Sequence, residues 1–317
     1  MKNDKIQEII DQCLNQFPCT VDVRYDEPMK NHTTFKVGGL ADCMLCPDGE
    51  GFTSFCKELL NRAEDTDIPV FVLGGGANIV VSDNGIRGIV LDTGLWKTES
   101  LLKMSEEEFV FKSGTVVDKA VELSAAEGLG GLEFLAGMPG TIGGAVWMNA
   151  RCYGGEIADV LSWAEIICKE QGSYVVKRIS AGQGFGYKLS PFQKMDCLII
   201  NAAFKLKKDD KEKLLSVIAK YRKDRQEKGH YLFPCAGSVF KNNHDFGKPT
   251  GQLIDEIGLK GYKIGGAQIA PFHGNIIINT GNASAKDIRS LVDDVAEKVK
   301  TATGFVLEPE IIFAGQW

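Results

Sequence analysis

The chain has 317 residues, of which 44% are hydrophobic and 25% charged, a composition typical of a folded globular protein and not of a disordered one. A chain of this length has room for about two domains. Its 36 basic and 42 acidic residues give a net charge of −6, which argues against a protein that binds nucleic acid or an anionic membrane. The 36 glycines follow no collagen-like period and therefore predict many tight turns and close backbone approaches.

The cysteines bear on the cellular compartment. There are nine of them, an odd number, and the N-terminal residues contain no apolar signal core, which together predict a reducing, cytoplasmic location. No run approaches the ~18 apolar residues of a membrane span, so we expect no membrane partner. Cys43 and Cys46 form a Cys-x-x-Cys pair without a second such pair, which predicts buried reduced thiols and no metal site.

Hydrophobic periodicity predicts a mixture of helices and strands. In chain order these are helix 4–17, strands 70–73, 89–91 and 109–111, helix 115–127, strands 163–168, 174–179 and 197–206, a charged linker at 207–211 that opens a helix to about 228, helix 284–303 and strand 306–313. Thr115 is expected to cap the second helix, and Ser284 with Asp287 to form a capping box at the last one. Because helices and strands do not alternate strictly, the pattern predicts an α+β fold.

The sequence contains no Walker A loop, no Gly-x-Ser-x-Gly motif and no Gly-x-Gly-x-x-Gly fingerprint. The main features that indicate chemistry are two glycine-rich loops. Residues 74–78 (GGGAN) directly follow the strand 70–73, and residues 137–145 (GMPGTIGGA) lie beside another apolar run. Consecutive residues without side chains expose several backbone N–H groups, which suits a diphosphate. Each loop alone could be only a tight turn; together they predict one shared ligand that carries phosphates.

An ordered series of sequence blocks resembles the UDP-N-acetylenolpyruvoylglucosamine reductases, the flavoenzymes of peptidoglycan precursor synthesis. The blocks are NHTTFKVGG (31–39), GGGAN (74–78) with DNGIRG (83–88), GLEFLAGMPG (131–140) through MNA (148–150), AGSVFKN (236–242) and LEPE (307–310). Each block alone is a weak match, but the ordered set, spread over residues 31–313, is specific.

The resemblance implies a fold and a division into domains. We expect an FAD-binding domain of the vanillyl-alcohol-oxidase (PCMH) type over residues 1–207, with two subdomains divided near 92–96. A family-specific α+β substrate domain should follow over residues 208–317. Only 50 positions separate Lys188 from Ser238, which leaves no room for an extra substrate-capping loop and indicates the shorter subtype of the family.

The resemblance also implies an activity. NADPH is expected to reduce FAD and leave, after which a UDP-sugar enolpyruvyl ether enters the same cleft and is reduced to UDP-N-acetylmuramate. The expected partner is therefore a small-molecule UDP-sugar, with no nucleic acid and no membrane, and the protein is expected to be a cytoplasmic monomer. Two alternatives stay open: another flavin oxidoreductase on the same FAD domain, and a flavin- or nucleotide-sugar-binding relative without catalysis.

Site residues carry over from the family by position. The expected catalytic residues are Ser238 as the proton donor, with Glu310 and Lys188 stabilising the enolate-like charge. The expected substrate contacts are Tyr187, Lys241, Asn242 and His273. The expected cofactor contacts are Gly74, Gly75, Gly76, Ala77, Asn78, Ile79, Met138, Pro139, Gly140, Ile142, Gly143, Gly144 and Ala145. Without the resemblance, Ser238 would be interpreted as a turn residue and Glu310 as a solvated residue of an alternating strand. His273 would be interpreted as a structural residue.

The sequence departs from the family at several of these places. Lys188 stands where the family has an arginine, and it keeps the charge but loses the planar, bidentate guanidinium. Arg151 and Cys152 replace the usual Gly-Ala, Asn243 replaces a proline, and Ala270 replaces a serine. These changes bear on catalytic efficiency rather than on the fold.

Overall fold

The computed structural model describes residues 2–94, 96, 102–105, 108–182 and 184–317. The α-helices are α1 (Lys2–Gln16), α2 (Phe52–Asp65), α3 (Val117–Ala126), α4 (Ile142–Trp147), α5 (Ile157–Val160), α6 (Lys211–Glu227), α7 (Thr250–Glu256) and α8 (Ala285–Thr303). Within the described residues, no helix has both the length and the apolar character required to cross a bilayer.

The β-strands are β1 (Thr20–Pro28), β2 (Leu40–Asp48), β3 (Val70–Leu73), β4 (Ile79–Val81), β5 (Ile86–Asp92), β6 (Leu102–Lys103), β7 (Glu108–Lys112), β8 (Leu129–Gly130), β9 (Arg151–Cys152), β10 (Gly155–Glu156), β11 (Leu161–Glu170), β12 (Ser173–Ser180), β13 (Cys197–Lys205), β14 (Lys207–Lys208), β15 (Lys263–Ile264), β16 (Ala267–Ile269), β17 (Ile277–Asn279) and β18 (Ile312–Ala314). The mixture of helices and mostly antiparallel strands confirms the predicted α+β class.

The chain divides into two compact units, and the first consists of Met1–Tyr25, Asp42–Gly75 and Gly88–Arg222. It contains an antiparallel sheet in the order β12-β11-β13-β7-β6. Helices α3 and α4 bury their apolar side chains with one face of this sheet in a single core. A second core joins α1 and α2 to a sheet in the order β1-β2-β5-β3, and the buried, free Cys43 lies within it. Cys46 is likewise buried and free, as predicted.

The second unit consists of Asp26–Ala41, Gly76–Arg87 and Lys223–Trp317. Its antiparallel sheet has the order β15-β16-β17, and β18 pairs in parallel with β4. The amphipathic helix α8 buries Ile288, Leu291, Val295 and Val299 in the core of this unit. The predicted capping box at α8 is confirmed, because Ser284 and Asp287 exchange side-chain and backbone hydrogen bonds.

The predicted cap at Thr115 is wrong. Helix α3 begins at Val117, and its N-cap residue Val116 provides no side-chain hydrogen bond. The backbone N–H of Val117 instead donates to the carbonyl of Gly140 at 3.1 Å, so a loop from elsewhere in the chain satisfies the helix start.

Two further sequence expectations need correction. The strand predicted over 306–313 is confined to β18, and Glu310 lies before it in an extended segment rather than on an alternating strand. The charged stretch 207–211 is no free linker, because β14 pairs with β8 at its start. Both misreadings share a cause: short backbone pairings with distant segments leave no periodic pattern in the local sequence.

The boundary predicted between residues 207 and 208 stays a prediction. Division into compact units assigns segments 26–41 and 76–87 to the second unit together with the C-terminal residues. The predicted subdomain split near 92–96 includes residue 95, which lies outside the described residues.

Candidate active site

Within the first unit, Gly74 and Gly75 of the first glycine loop lie directly against the second loop. A Cβ atom added at Gly75 would lie 2.6 Å from the Cα of Gly140, and one added at Gly74 would lie 2.8 Å from the Thr141 hydroxyl. Neither distance is compatible with a real side chain, so glycine is required here for the loops to approach. Gly74 and Gly75 of the first loop therefore pack closely against Gly140 and Thr141 of the second.

The second loop is held in place by the residues that follow β7. The N–H of Ile142 donates to the carbonyl of Thr115 at 2.9 Å, and that of Gly143 donates to Ser113 at 2.8 Å. The Thr141 hydroxyl accepts the N–H of Gly144 at 3.4 Å and caps α4. The loop is thus fixed by the protein itself, as a preorganised anion site requires.

The residues present fit a phosphate-bearing group such as that of FAD. Among the described residues, a Cβ atom added at the exposed Gly144 would meet only the Thr141 hydroxyl, at 3.5 Å, so the space above Gly144 is open with respect to them. Ile142 and Ala145 are buried in the core, so they can offer a ligand their backbone and not their side chains. Met138 is half-buried and Pro139 is exposed.

The first loop continues into the second unit with Gly76. Gly76 has a φ of +59°, and an added Cβ atom would lie 1.9 Å from the carbonyl of His32. Ala77 is half-buried, and Ile79 opens β4. The Asn78 amide donates to the backbone carbonyl of Glu310 at 3.0 Å, so the loop end is tied to an expected catalytic residue.

Ser238 lies on an extended segment with a partner on each side. On one side it forms a bridge with Ile276, and the adjacent Val239 N–H donates to the carbonyl of Asn275 at 2.9 Å. On the other side the N–H of Glu310 donates to the carbonyl of Val239 at 2.7 Å. The structure thus brings Ser238 and Glu310 onto neighbouring backbone segments of the second unit.

Asn275 is a residue that the sequence reasoning missed. It is 4% exposed, and its amide donates to the carbonyl of Phe240 at 2.8 Å and accepts the Phe240 N–H at 2.9 Å. Because both ends of its side chain hold the segment that carries Ser238, it positions that segment. The sequence feature that could have identified it is the position of Asn275 directly before the apolar run 276–278 (III). A polar side chain buried beside such a run needs a hydrogen-bond partner.

His273 is linked to the same framework. Its Nδ1 atom accepts the N–H of Asn275 at 3.1 Å, so the proton of the neutral ring is on Nε2. Burial lowers the pKa of His273. The His230 ring lies 6.2 Å away, and burial, together with the charge of Arg225, lowers the pKa of His230 to about 4. Both rings are therefore neutral at physiological pH.

The two other expected substrate contacts in this unit already have protein partners. The Lys241 ammonium group pairs with Glu308 at 2.5 Å. The side-chain oxygen of Asn242 accepts the N–H of Thr250 at 2.9 Å and so helps to start α7. Any anionic group that reaches Lys241 would compete with the Glu308 carboxylate.

Tyr187 and Lys188 form the tip of a tight turn in the first unit. Gly186 and Leu189 exchange both backbone hydrogen bonds at 3.0 Å, and Lys188 has a φ of +56°, a left-handed conformation that costs a non-glycine residue roughly 1 kcal/mol. The buried Asn149 donates to the carbonyl of Gly186 at 2.8 Å and holds the turn. Such strain at a well-anchored turn is a feature of functional sites.

Arg151 lies beside this turn. Its guanidinium group is 5.6 Å from the centre of the Tyr187 ring, a cation–π distance, and 3.8 Å from the carboxylate of Glu156. Arg151 and Lys188 thus both supply positive charge near Tyr187.

Comparison with known proteins agrees with this geometry. A family model of FAD-binding domains matches residues 54–176, which include both glycine loops. The chain is therefore an FAD-binding oxidoreductase, as the sequence resemblance implied. A second model, of the C-terminal domain of UDP-N-acetylenolpyruvoylglucosamine reductase, matches residues 227–314.

Full-length relatives define the family. The UDP-N-acetylenolpyruvoylglucosamine reductase of Treponema denticola is 40% identical, over 93% of this chain and 94% of its own. That of Borreliella burgdorferi is 38% identical, over 95% and 98%. The crystal structure of the enzyme from Thermus caldophilus superposes with a TM-score of 0.72 at 32% identity, over 93% of this chain and all of that one. The chain belongs to the UDP-N-acetylenolpyruvoylglucosamine reductase family.

Proposed function

We propose that the protein reduces UDP-N-acetylglucosamine enolpyruvate to UDP-N-acetylmuramate with NADPH, in the synthesis of peptidoglycan precursors. Hydride transfer from NADPH to the enolpyruvyl group is the chemistry that FAD would supply when bound. Family membership supports this reaction and this cofactor. The glycine loops 74–79 and 138–145 would hold the diphosphate of FAD through their backbone N–H groups.

One observation carries the assignment of the catalytic residues. The 2.7 Å hydrogen bond from the Glu310 N–H to the Val239 carbonyl joins the segments of Glu310 and Ser238. In our proposal the Ser238 hydroxyl donates the proton to the carbon beside the one that receives the hydride. Glu310 stabilises the negative charge that develops on the substrate in that step.

The remaining site residues have binding roles in this proposal. Lys188 offers a positive charge to the developing enolate, and Tyr187, Asn242 and His273 contact the sugar nucleotide. The ammonium group of Lys241 would attract the diphosphate of the substrate, in competition with Glu308.

We further propose that the protein works as a monomer in the cytoplasm, without a membrane or nucleic-acid partner. NADPH and UDP-sugars are cytoplasmic metabolites, and all nine cysteines are free thiols, in keeping with a reducing compartment. Light scattering of the purified protein tests the oligomeric state.

The proposed roles are tested by resolving the two half-reactions in a stopped-flow instrument without oxygen. Ser238→Ala should leave flavin reduction by NADPH unchanged and slow flavin reoxidation by the enolpyruvyl sugar by about 10²–10⁴-fold, because only the second step needs the proton. Ser180→Ala, a change at the exposed end of β12, is the control. Equal slowing of both steps in Ser238→Ala would contradict the role.

A further inference from the structure

At its start, the second glycine loop is anchored by the side chain of a residue outside the loop. Its later part, residues 140–143, is held by backbone hydrogen bonds from the segment 113–117. At its start, the N–H of Gly137 donates to the carboxylate of Asp118 at 2.7 Å. Gly137 has a φ of +70° and begins the turn that leads through Met138 and Pro139.

Asp118 is itself fixed by an arginine from a distant helix. Arg222 of α6 donates to both carboxylate oxygens of Asp118, at 2.7 Å and 3.2 Å, in the bidentate arrangement that orients a carboxylate best. The same guanidinium group also bonds Glu122, one turn further along α3, at 2.8 Å. The side chains of Arg222 and Asp118 are about one-third exposed. Glu122 touches Arg222 but has no hydrogen bond to the loop, so it provides a natural control.

The first turn of α3 therefore holds both ends of the turn 137–140. The Asp118 carboxylate binds the N–H of Gly137, and the N–H of the preceding residue, Val117, binds the carbonyl of Gly140. We propose that Asp118, oriented by Arg222, is a positioning residue that sets the affinity of the protein for FAD. This inference rests on the proposed placement of FAD at the glycine loops. Neither residue touches the cofactor in this account; both act through the backbone of the loop.

The test compares variants that separate the ion pair from the loop anchor. Asp118→Ala removes both, whereas Asp118→Asn loses the charge but keeps an oxygen that can accept the Gly137 N–H. The dissociation constant of FAD is measured by flavin fluorescence on apoprotein, and the melting temperature of the apoprotein is measured alongside. Glu122→Gln is the matched control: it weakens the contact of Glu122 with Arg222, and also its ion pair with Lys119, but leaves the bond from Asp118 to Gly137 in place.

We expect Asp118→Ala to raise the dissociation constant of FAD by about 10- to 100-fold, the effect of losing one charge-assisted hydrogen bond. Asp118→Asn should raise the constant less, by about 3- to 10-fold, while melting as early as Asp118→Ala, because its neutral amide oxygen still accepts the N–H but without the charge. Arg222→Gln should raise the constant by about 3- to 10-fold, and Glu122→Gln should leave it unchanged.

Parent-like FAD affinity in Asp118→Ala would overturn the proposal, and so would an equal loss in Asp118→Asn, since a purely structural ion pair would weaken both alike. If Asp118→Ala does not fold, the test rests on Arg222→Gln. An FAD affinity of Arg222→Gln equal to that of Glu122→Gln would then overturn the proposal. Gly144→Val separates this inference from the placement of FAD. Parent-like affinity in Gly144→Val would contradict the placement itself. If Gly144→Val loses FAD affinity but Asp118→Ala keeps the affinity of the parent, only the positioning role of Asp118 is contradicted.

Discussion

The side-chain amide of Asn78 donates a 3.0 Å hydrogen bond to the backbone carbonyl of Glu310, 232 positions later in the chain. The N–H of Ile312 donates to the carbonyl of Asn78 at 3.0 Å, so the contact is fixed from both sides. The end of a glycine loop and the segment of the expected catalytic glutamate are therefore one structural element. A substitution at Asn78 should therefore alter the position of Glu310.

We predict that Asn78→Ala lowers the free energy of unfolding by about 1 kcal/mol, the usual effect of losing one such hydrogen bond. It should also slow flavin reoxidation by the enolpyruvyl sugar more than flavin reduction by NADPH, because Glu310 serves only the second step. Urea unfolding and stopped-flow absorbance measure the two effects. Asn84→Ala is the control, since that amide also donates to a distant carbonyl, of Gln316, outside the candidate site. Similar kinetics in both variants would argue against the coupling.

The glycine loops predict different results for three alanine substitutions. Gly75→Ala should disrupt the packing of the loops, because its Cβ atom would lie 2.6 Å from Gly140, and should abolish FAD binding. Gly144→Ala fits the protein but projects into the open space proposed for FAD, so it should weaken binding without lowering the melting temperature of the apoprotein. Gly182→Ala, whose Cβ atom would lie within 4 Å of no atom in the described part of the chain, should change neither FAD binding nor the melting temperature. Tight FAD binding by Gly75→Ala would contradict this account of the loops.

Lys188 combines charge with backbone strain, and the two can be separated. Lys188→Gly should raise the free energy of unfolding by up to about 1 kcal/mol by relieving the left-handed conformation. It should also lower turnover by roughly 10²–10³-fold because the positive charge is lost. Lys188→Arg should keep or improve turnover. Gln171→Gly is the control, as Gln171 also has a positive φ, +48°, in an exposed turn. Parent-like turnover in Lys188→Gly would show that another cation, with Arg151 the next candidate, stabilises the substrate.

The neutral His230 predicts a loss of stability in mild acid. Its pKa, lowered to about 4 in the folded protein by burial and by Arg225, lies below that of an unfolded histidine, near ~6.5. The unfolded chain therefore takes up the proton first, and this group's contribution to stability is lost as the pH falls from about 6.5 to about 4, by roughly 2–4 kcal/mol. Urea unfolding at pH 7 and pH 5 should show a smaller difference for His230→Gln than for the parent. An equal difference would mean that other groups cause the acid sensitivity.

Much of the fold was predictable because it follows local rules. The periodic apolar residues of α1 and α8, the capping box at Ser284 and the long strands β11–β13 all leave patterns in the sequence. The start of α3 and the segment before β18 do not, because their hydrogen bonds come from residues far along the chain: Gly140 in one case and Val239 in the other.

In the candidate site, too, some features could be predicted from the sequence and others could not. The glycine loops were recognisable from composition alone, but the sequence could not show that Gly75 is needed to pack against Gly140. The roles expected of Ser238 and Glu310 depended on the family resemblance, since a lone serine or glutamate has no local pattern. The supporting residues Asn275 and Asp118 were missed because each acts by binding the backbone of another segment.

Reduction of an enolpyruvyl UDP-sugar at bound FAD can be followed in the absorption spectrum of the purified protein without oxygen. We expect a yellow protein with about one non-covalent FAD per chain, in keeping with the FAD-binding domain at residues 54–176. NADPH should bleach the flavin band, and UDP-N-acetylglucosamine enolpyruvate should restore it with formation of UDP-N-acetylmuramate. A colourless protein that takes up no FAD, or a flavin that stays reduced after the enolpyruvyl sugar is added, would rule out this reaction.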